Sequence, residues 1–360
     1  MHRPDLGGAG EEPFSLREAA HDPAIDEGEL EVLDLLSGQA PPKQRRWVLP
    51  LRVGISLAML AVLVAKVPDF DLGELVPDWG LQNTLWLLAA LALTLLGVVL
   101  SALRWKTVLH ALGLPTRLRR VLSLYFAGQF VSNVLPTTIG GDVLRVSRLS
   151  KENGDTPDTF ASVVLERLTG WIVLPLITFL GLIVNPDLRN QGEASTIAML
   201  TAAGTLGALA LILLLVDHPR LGGRFAEGEG WRRFAGAVHL GIDKLRRRPT
   251  AALEVLAVGL VYQLVLVLAA LTAANSLGMT DLGLTPLLAF FPAVLVAQVL
   301  PIGISGLGVR EGAFVLFLTP LGVPTEQAIA LGLLLYLLNL AASLAGAPAF
   351  AVGNRTTSTA

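Results

Sequence analysis

Long apolar runs alternate with short polar stretches along this chain, and the runs are long enough to cross a bilayer as helices. A helical span needs about 20 residues. Runs at 47–67, 83–103, 159–184, 195–216, 250–274 and 327–351 reach that length. None of them shows the period-two alternation of a membrane β-barrel, so each predicts a membrane helix.

Two further apolar stretches are broken, and they resemble each other. Residues 126–145 read FAGQFVSNVLPTTIGGDVLR, and 291–310 read FPAVLVAQVLPIGISGLGVR. A shift of 165 residues superposes them without a gap. Phe126 falls on Phe291, Leu135-Pro136 on Leu300-Pro301, Gly141 on Gly306 and Arg145 on Arg310. Leu, Val and Ala match cheaply between greasy segments, but Pro, Gly and Arg do not. The same shift carries His110-Ala111-Leu112-Gly113 onto Asn275-Ser276-Leu277-Gly278, Trp171 onto Tyr336 and Gly181 onto Gly346. The predicted repeat therefore spans 83–184 and 248–349. Proline removes a backbone donor and glycine frees the backbone, so each copy predicts a helix interrupted at membrane depth. Broken segments at corresponding places in two halves point to the working site of a transporter.

Charge then orients the spans. Lys43, Arg45, Arg46 and Arg52 flank the first run, which predicts a cytoplasmic N-terminus. The loop at 69–78 has no Lys or Arg, while Arg104, Lys106, Arg117, Arg119 and Arg120 follow the second run. The loop at 217–249 is again rich in arginine, and 269–285 has no basic residue. Equivalent loops of the two copies thus carry opposite bias, as inverted topology requires. The predicted fold is an all-α polytopic membrane protein, an inverted-topology repeat with two broken, re-entrant helical hairpins. It sits in the plasma (cytoplasmic) membrane, with the membrane domain at 45–352 and a short tail at 353–360. Residues 1–40 hold ten acids against Arg3 and Arg17 and lack the pattern of a signal peptide. They are expected to be a mostly disordered, acidic cytoplasmic tail.

Composition narrows the function. Charged residues make up 16% of the chain, against about one quarter in soluble domains. There is no cysteine, so a thiolate nucleophile and Cys-ligated metals are excluded. The five histidines are scattered, and no Walker-type Gly-Lys-Ser/Thr loop occurs. No catalysis, cofactor, metal or nucleic-acid partner is expected.

The broken segments carry the candidate chemistry. A helix restarting after Gly140-Gly141 presents free N–H groups. Asp142 suits a cap there, or the N–H groups can hold a phosphate. Arg145, about one turn on, suits either a charged clamp on that group or a snorkelling interfacial position, and Arg148 falls on the same face. Gly306 and Arg310 repeat the arrangement, with Glu311 as an adjacent partner and no acid matching Asp142. Asn133 and Gln298 share one repeat position and either line a cavity or bridge helices. Glu166, followed by Arg167, lies inside a span, where a charge is costly unless paired. It pairs with neighbours such as Arg145 or serves as a proton or headgroup relay. Arg104-Trp105-Lys106 and Trp231-Arg232-Arg233 read as membrane-edge anchors.

Arg104-Trp105-Lys106, FAGQFVSNVLPTTIGGDVLR and GISGLGVREG (303–312) resemble the lysylphosphatidylglycerol synthase transmembrane-region family of flippase-like membrane proteins. The resemblance covers about 45–350. In bifunctional members it implies a membrane part that moves aminoacylated phosphatidylglycerol between leaflets and a soluble domain that makes the lipid. This sequence ends at Ala360, shortly after the last run, so no synthase activity is expected here. The resemblance implies a lipid-translocase fold with paired re-entrant helices, and a role for Asn133, Gly140, Gly141, Asp142, Arg145, Gly306, Arg310 and Glu311. The expected substrate is a membrane lipid, either an anionic phospholipid or a polyprenyl phosphate. A gradient-driven transporter of a small soluble anion is the alternative. A membrane partner that recruits a soluble enzyme through the acidic tail is a third reading; a separate lipid-modifying enzyme and a homo-oligomer are further expected partners.

Overall fold

The computed structural model describes residues 48–65, 80–134, 140–217, 231–299 and 306–355. The acidic tail and both Leu-Pro dipeptides, Leu135-Pro136 and Leu300-Pro301, lie outside the described residues. What is described is helical, without a strand, and belongs to one unit, Arg45–Ala360. The helices are α1 (Val48–Ala65), α2 (Leu81–Leu112), α3 (Leu118–Val134), α4 (Gly140–Asn153), α5 (Thr156–Val184) and α6 (Glu193–Asp217). After them come α7 (Trp231–Arg246), α8 (Pro249–Ser276), α9 (Leu284–Ala297), α10 (Val309–Leu318), α11 (Thr325–Leu344) and α12 (Ala347–Arg355).

Five helices are long and apolar enough to cross a membrane: α2, α5, Glu193–Leu215 of α6, α8 and α11. Local signals set their ends. Asp155 accepts from the Asp158 N–H at 2.9 Å and caps α5, with Pro157 in its first turn. Gly113 and Gly278, one repeat apart, follow α2 and α8 with φ of 86° and 80°. Only glycine takes that left-handed turn without cost. Leu85, Leu96, Leu180, Leu200 and Leu253 are exposed on these helices.

Equivalent elements recur at the shift of 165 residues seen in the sequence. It carries α2 onto α8, α3 onto α9, α4 onto α10 and α5 onto α11, within a few residues at each end. The pair α3–α4 folds back on itself. Arg120 pairs with Glu152, and a Cβ at Gly128 would lie 2.9 Å from the Gly141 carbonyl oxygen. The pair α9–α10 does the same. Phe290 stacks on Phe317 at 5.5 Å, Phe291 on Phe314 at 5.8 Å, and Gln298 lies against Gly306. Each half thus holds one hairpin of two short helices.

The halves interlock. α2 and α8 run antiparallel. A Cβ at Gly97 would lie 3.1 Å from Leu266, Gly259 sits against Arg104, and Arg248 donates to the His110 carbonyl at 3.1 Å. The largest apolar cluster joins α8, α9, α10 and α11 to Val173, Ile177 and Leu182 of α5.

Two expectations change. The run at 327–351 is two helices, not one, because α11 stops at Leu344 and Gly346 is pressed against the Phe126 carbonyl of α3. The segment 217–249 contains α7, whose Val238 and Ile242 pack on Val164 and Leu165 of α5. Lys244 of α7 pairs with Asp158 there.

Candidate functional site

The first hairpin places Asp142 and Arg145 one turn apart on α4. Glu166 and Arg167 are consecutive on α5, so their side chains leave the helix in different directions. Glu166 points inward and is 1% exposed. Its Oε2 accepts from Arg145 Nη1 at 2.7 Å, and its Oε1 accepts from Arg104 Nη2 at 3.1 Å and from the Tyr125 hydroxyl at 2.9 Å. Arg167 points outward and is half-exposed, and it shares Asp142 with Arg145. The result is one chain of charges, Arg104–Glu166–Arg145–Asp142–Arg167, on α2, α4 and α5. Three guanidinium groups face two carboxylates, which leaves a surplus of one positive charge.

Aromatic rings hold the cluster in place. The Arg145 guanidinium lies 4.8 Å over Trp105 and 4.4 Å over Tyr125. Trp105 is fully buried and is fixed by donating Nε1–H to Ser162 Oγ at 2.9 Å. Arg104 lies 5.0 Å over the Tyr262 ring of α8. Space for its guanidinium comes from Gly170 and Gly259, since a Cβ on Gly170 would lie 2.9 Å from Nη1. Buried Nε and Nη1 of Arg104 have no hydrogen-bond partner among the described residues. A buried donor without a partner is costly, and here it belongs to a cation.

The second hairpin is built differently. Arg310 donates to Glu311 Oε1 from Nε at 3.3 Å and from Nη2 at 3.2 Å, and lies 5.4 Å over Tyr336. The other oxygen of Glu311 accepts the Gly308 N–H at 2.5 Å and caps α10. Gly332 makes room for Glu311. This pair is neutral. Leu307 stands where Asp142 stands in the first half, and Leu331 where Glu166 stands.

Of the residues singled out in the sequence, Asp142, Arg145 and Glu166 come together, and Arg310 with Glu311 forms the second pair. Asp142 spends its carboxylate on Arg145 and Arg167. Gly141 and Gly306 are buried where the two arms of each hairpin meet, Gly141 against Ser132 and Gly306 against Gln298, and half-buried Gly140 begins α4. Asn133 turns its amide back to the Gln129 carbonyl at 3.0 Å. Arg148 donates to the Ala349 and Phe350 carbonyls of α12 and lies over the Phe350 ring.

Sequence reasoning missed Arg104, Trp105, Tyr125 and Tyr262. The dipeptide Arg104-Trp105 is not an edge anchor. It is buried, because α2 continues two turns past residue 103. Its signal was available, since no helix breaker intervenes before Gly113. The side chains of Trp231, Arg232 and Arg233 lie outside the described residues.

Residues 50–346 match the family described as the lysylphosphatidylglycerol synthase TM region. The chain belongs to that family. The match takes in α2–α5 and α8–α11, hence every member of both clusters. With the apolar helices described above, membership makes the chain an integral, multi-pass membrane protein with a lipid-related membrane role. A UPF0104 membrane protein of Pyrococcus horikoshii is 27% identical over 134 residues. That similarity covers 36% of this chain and 37% of the other protein, so the chain spans little more than a third of that relative's length.

Proposed function

We propose that this family member is a lipid translocase, of flippase or scramblase type, for an anionic phospholipid or a polyprenyl phosphate. The observation that carries the reading is Arg145, a buried guanidinium clamped between Trp105 and Tyr125 in a cluster with surplus positive charge. A phosphate headgroup is the complement of such a cluster, and guanidinium matches its oxygens bidentately. The acyl or polyprenyl chains would stay in the bilayer beside the exposed leucines while the headgroup crosses. Arg310 would serve the headgroup from the second hairpin. Asn133, Gly140, Gly141, Gln298 and Gly306 would shape the two turns, and the protein performs no covalent chemistry.

The reading includes an inverted repeat with two re-entrant hairpins, in a plasma membrane with the N-terminus in the cytoplasm. Antiparallel packing of the equivalent helices α2 and α8 supports the inversion, and basic residues in the expected inner loops support the orientation. A separate enzyme that modifies the lipid, and assembly with a second copy, fit this role.

The test is leaflet exchange of a labelled anionic lipid in reconstituted vesicles. Arg145→Ala and Arg310→Ala abolish exchange while the protein remains monodisperse. Undiminished exchange in both variants rejects the assignment. A gradient-driven transporter of a small soluble anion is the second reading, favoured by how fully the cluster is enclosed. Uptake of such an anion without lipid movement would select it.

A further inference from the structure

We propose that Glu166 is the group an anionic headgroup displaces, and that one proton enters with that headgroup and is held by Glu166. The proposal rests on the lipid reading above and identifies what accompanies the lipid at the same site.

Glu166 already occupies the place a phosphodiester needs. Its two oxygens divide between Arg145 at 2.7 Å and Arg104 at 3.1 Å, joining two guanidinium groups on different helices through one negative charge. A phosphodiester also offers two oxygens and one charge. Two buried nitrogens of Arg104, Nε and Nη1, have no partner among the described residues, so the position has donors left for a larger anion. With Arg145 and Arg104 bound to Glu166, the cluster is closed against the headgroup.

Displacement supplies the reason for the proton. Glu166 is buried and holds its charge against Arg145 and Arg104. A phosphodiester that takes over those two guanidinium groups would leave an ionised Glu166 without its counter-charges and beside a second anion, away from water. Like charges at that range each disfavour the ionised form. If the Glu166 carboxylate takes a proton and becomes a neutral acid, no other bond forms or breaks. The phosphate oxygens then take over the N–H groups of Arg104 and Arg145, and the phosphate replaces the carboxylate as their counter-charge. The Tyr125 hydroxyl, now donating to Glu166 at 2.9 Å, can turn and accept from the neutral acid.

Neighbouring groups leave this role to Glu166. From α4 it is faced by Arg145 and Asp142, from α2 by Arg104, and from α3 by Tyr125. On its own helix Arg167 holds Asp142, and that half-exposed arginine keeps Asp142 paired when Arg145 is taken. From α8, Tyr262 bears on Arg104, and Glu254 is exposed. On α7, Lys244 pairs with Asp158 and Asp243 with Arg247, while His239 is half-buried. α9 has no titratable residue, and the acids of α6, Glu193 and Asp217, stand at its two ends. Glu311 cannot substitute in the other half, because it caps α10 through Gly308.

The experiment measures binding of short-chain phosphatidylglycerol to the full-length protein in detergent from pH 5 to 8, with proton uptake read by an indicator dye in weak buffer. That probe keeps one charge throughout the range. Expected are one proton taken up per lipid bound and an affinity that tightens about tenfold for each unit of pH lowered while Glu166 is ionised in the empty protein. Glu166→Asp keeps the dependence, and Glu166→Gln binds with an affinity independent of pH. If Glu166→Gln does not fold, the proton count of the unmodified protein and Glu166→Asp decide. Binding without proton uptake overturns this proposal and leaves the lipid reading standing, as does a pH dependence that survives in Glu166→Gln. Absence of binding to phosphatidylglycerol and to a polyprenyl phosphate at every pH overturns both.

Discussion

Gly181 and Gly346 occupy the same position one repeat apart, and each touches the hairpin of the opposite half. A Cβ on Gly181 would lie 2.5 Å from the Ala289 nitrogen of α9. One on Gly346 would run into the Phe126 carbonyl of α3 and lie 3.1 Å from Phe130 Cβ. Small residues let membrane helices approach to backbone contact, and here they do so twice in the same way.

Enlarging either glycine therefore separates a hairpin from its support. Gly181→Leu and Gly346→Leu should each lose about 1–3 kcal/mol or fail to fold. Thermal unfolding in detergent checks this. Gly204→Ala on α6 is the control, with nothing within 4 Å of its Cβ and a neutral or slightly favourable effect expected. Equal tolerance at all three positions would contradict the packing.

Inversion of the repeat can be tested because the chain has no cysteine of its own. Pro115 and Thr280 are equivalent exposed positions in the connections after α2 and α8. A membrane-impermeant maleimide added to intact cells should label Thr280→Cys and spare Pro115→Cys. Labelling of both from one side excludes opposite orientations.

Removing Glu166 takes from buried Arg104 the carboxylate it pairs with and leaves Arg145 with Asp142 alone. Glu166→Ala should lower stability by about 3–5 kcal/mol, far more than an exposed ion pair such as Arg247–Asp243. Asp243→Ala is expected to change the unfolding temperature very little. Similar losses for the two variants would mean that the cluster is hydrated rather than buried.

Arg148 engages two carbonyls of α12 and the ring of Phe350, about 200 residues away in sequence. Its loss should free the C-terminal helix more than it impairs the site. Arg148→Ala is expected to speed proteolysis near residue 350 while keeping most leaflet exchange, whereas Arg145→Ala loses exchange. Equal loss of exchange in the two variants would return Arg148 to the headgroup site.

Much of the fold was legible because its signals are local. Apolar length marked α2, α5, α6 and α8, and the shift of 165 residues put Gly113 and Gly278 in register, although the first of those runs was read as ending at 103. The short arms were readable from the repeat, since neither α4 nor α10 is long enough to be seen as a span. Glu166 was conspicuous as a charge inside a span, and Arg145 as a repeated arginine. The end of α11 was not legible, because Gly346 stops there against Phe126 of the other half, a contact invisible in its own neighbourhood.

By itself the sequence determined that the chain is built of apolar, membrane-crossing helices, and it pointed to a correspondence at a shift of 165 residues and to Asp142, Arg145 and Glu166 as charged residues in need of partners. These follow from hydrophobic length, from Pro and Gly, and from the cost of a charge away from water, all readable over a few turns of chain. Only the tertiary structure decided that Arg104 is buried and shares Glu166 with Arg145, that Trp105 and Tyr125 enclose the arginine, and that Arg148 turns instead to α12. Those partners lie far apart in sequence, 62 residues for Arg104 and Glu166. Burial forces each charge to find a counter-charge, but the packing of the helices selects which one is within reach.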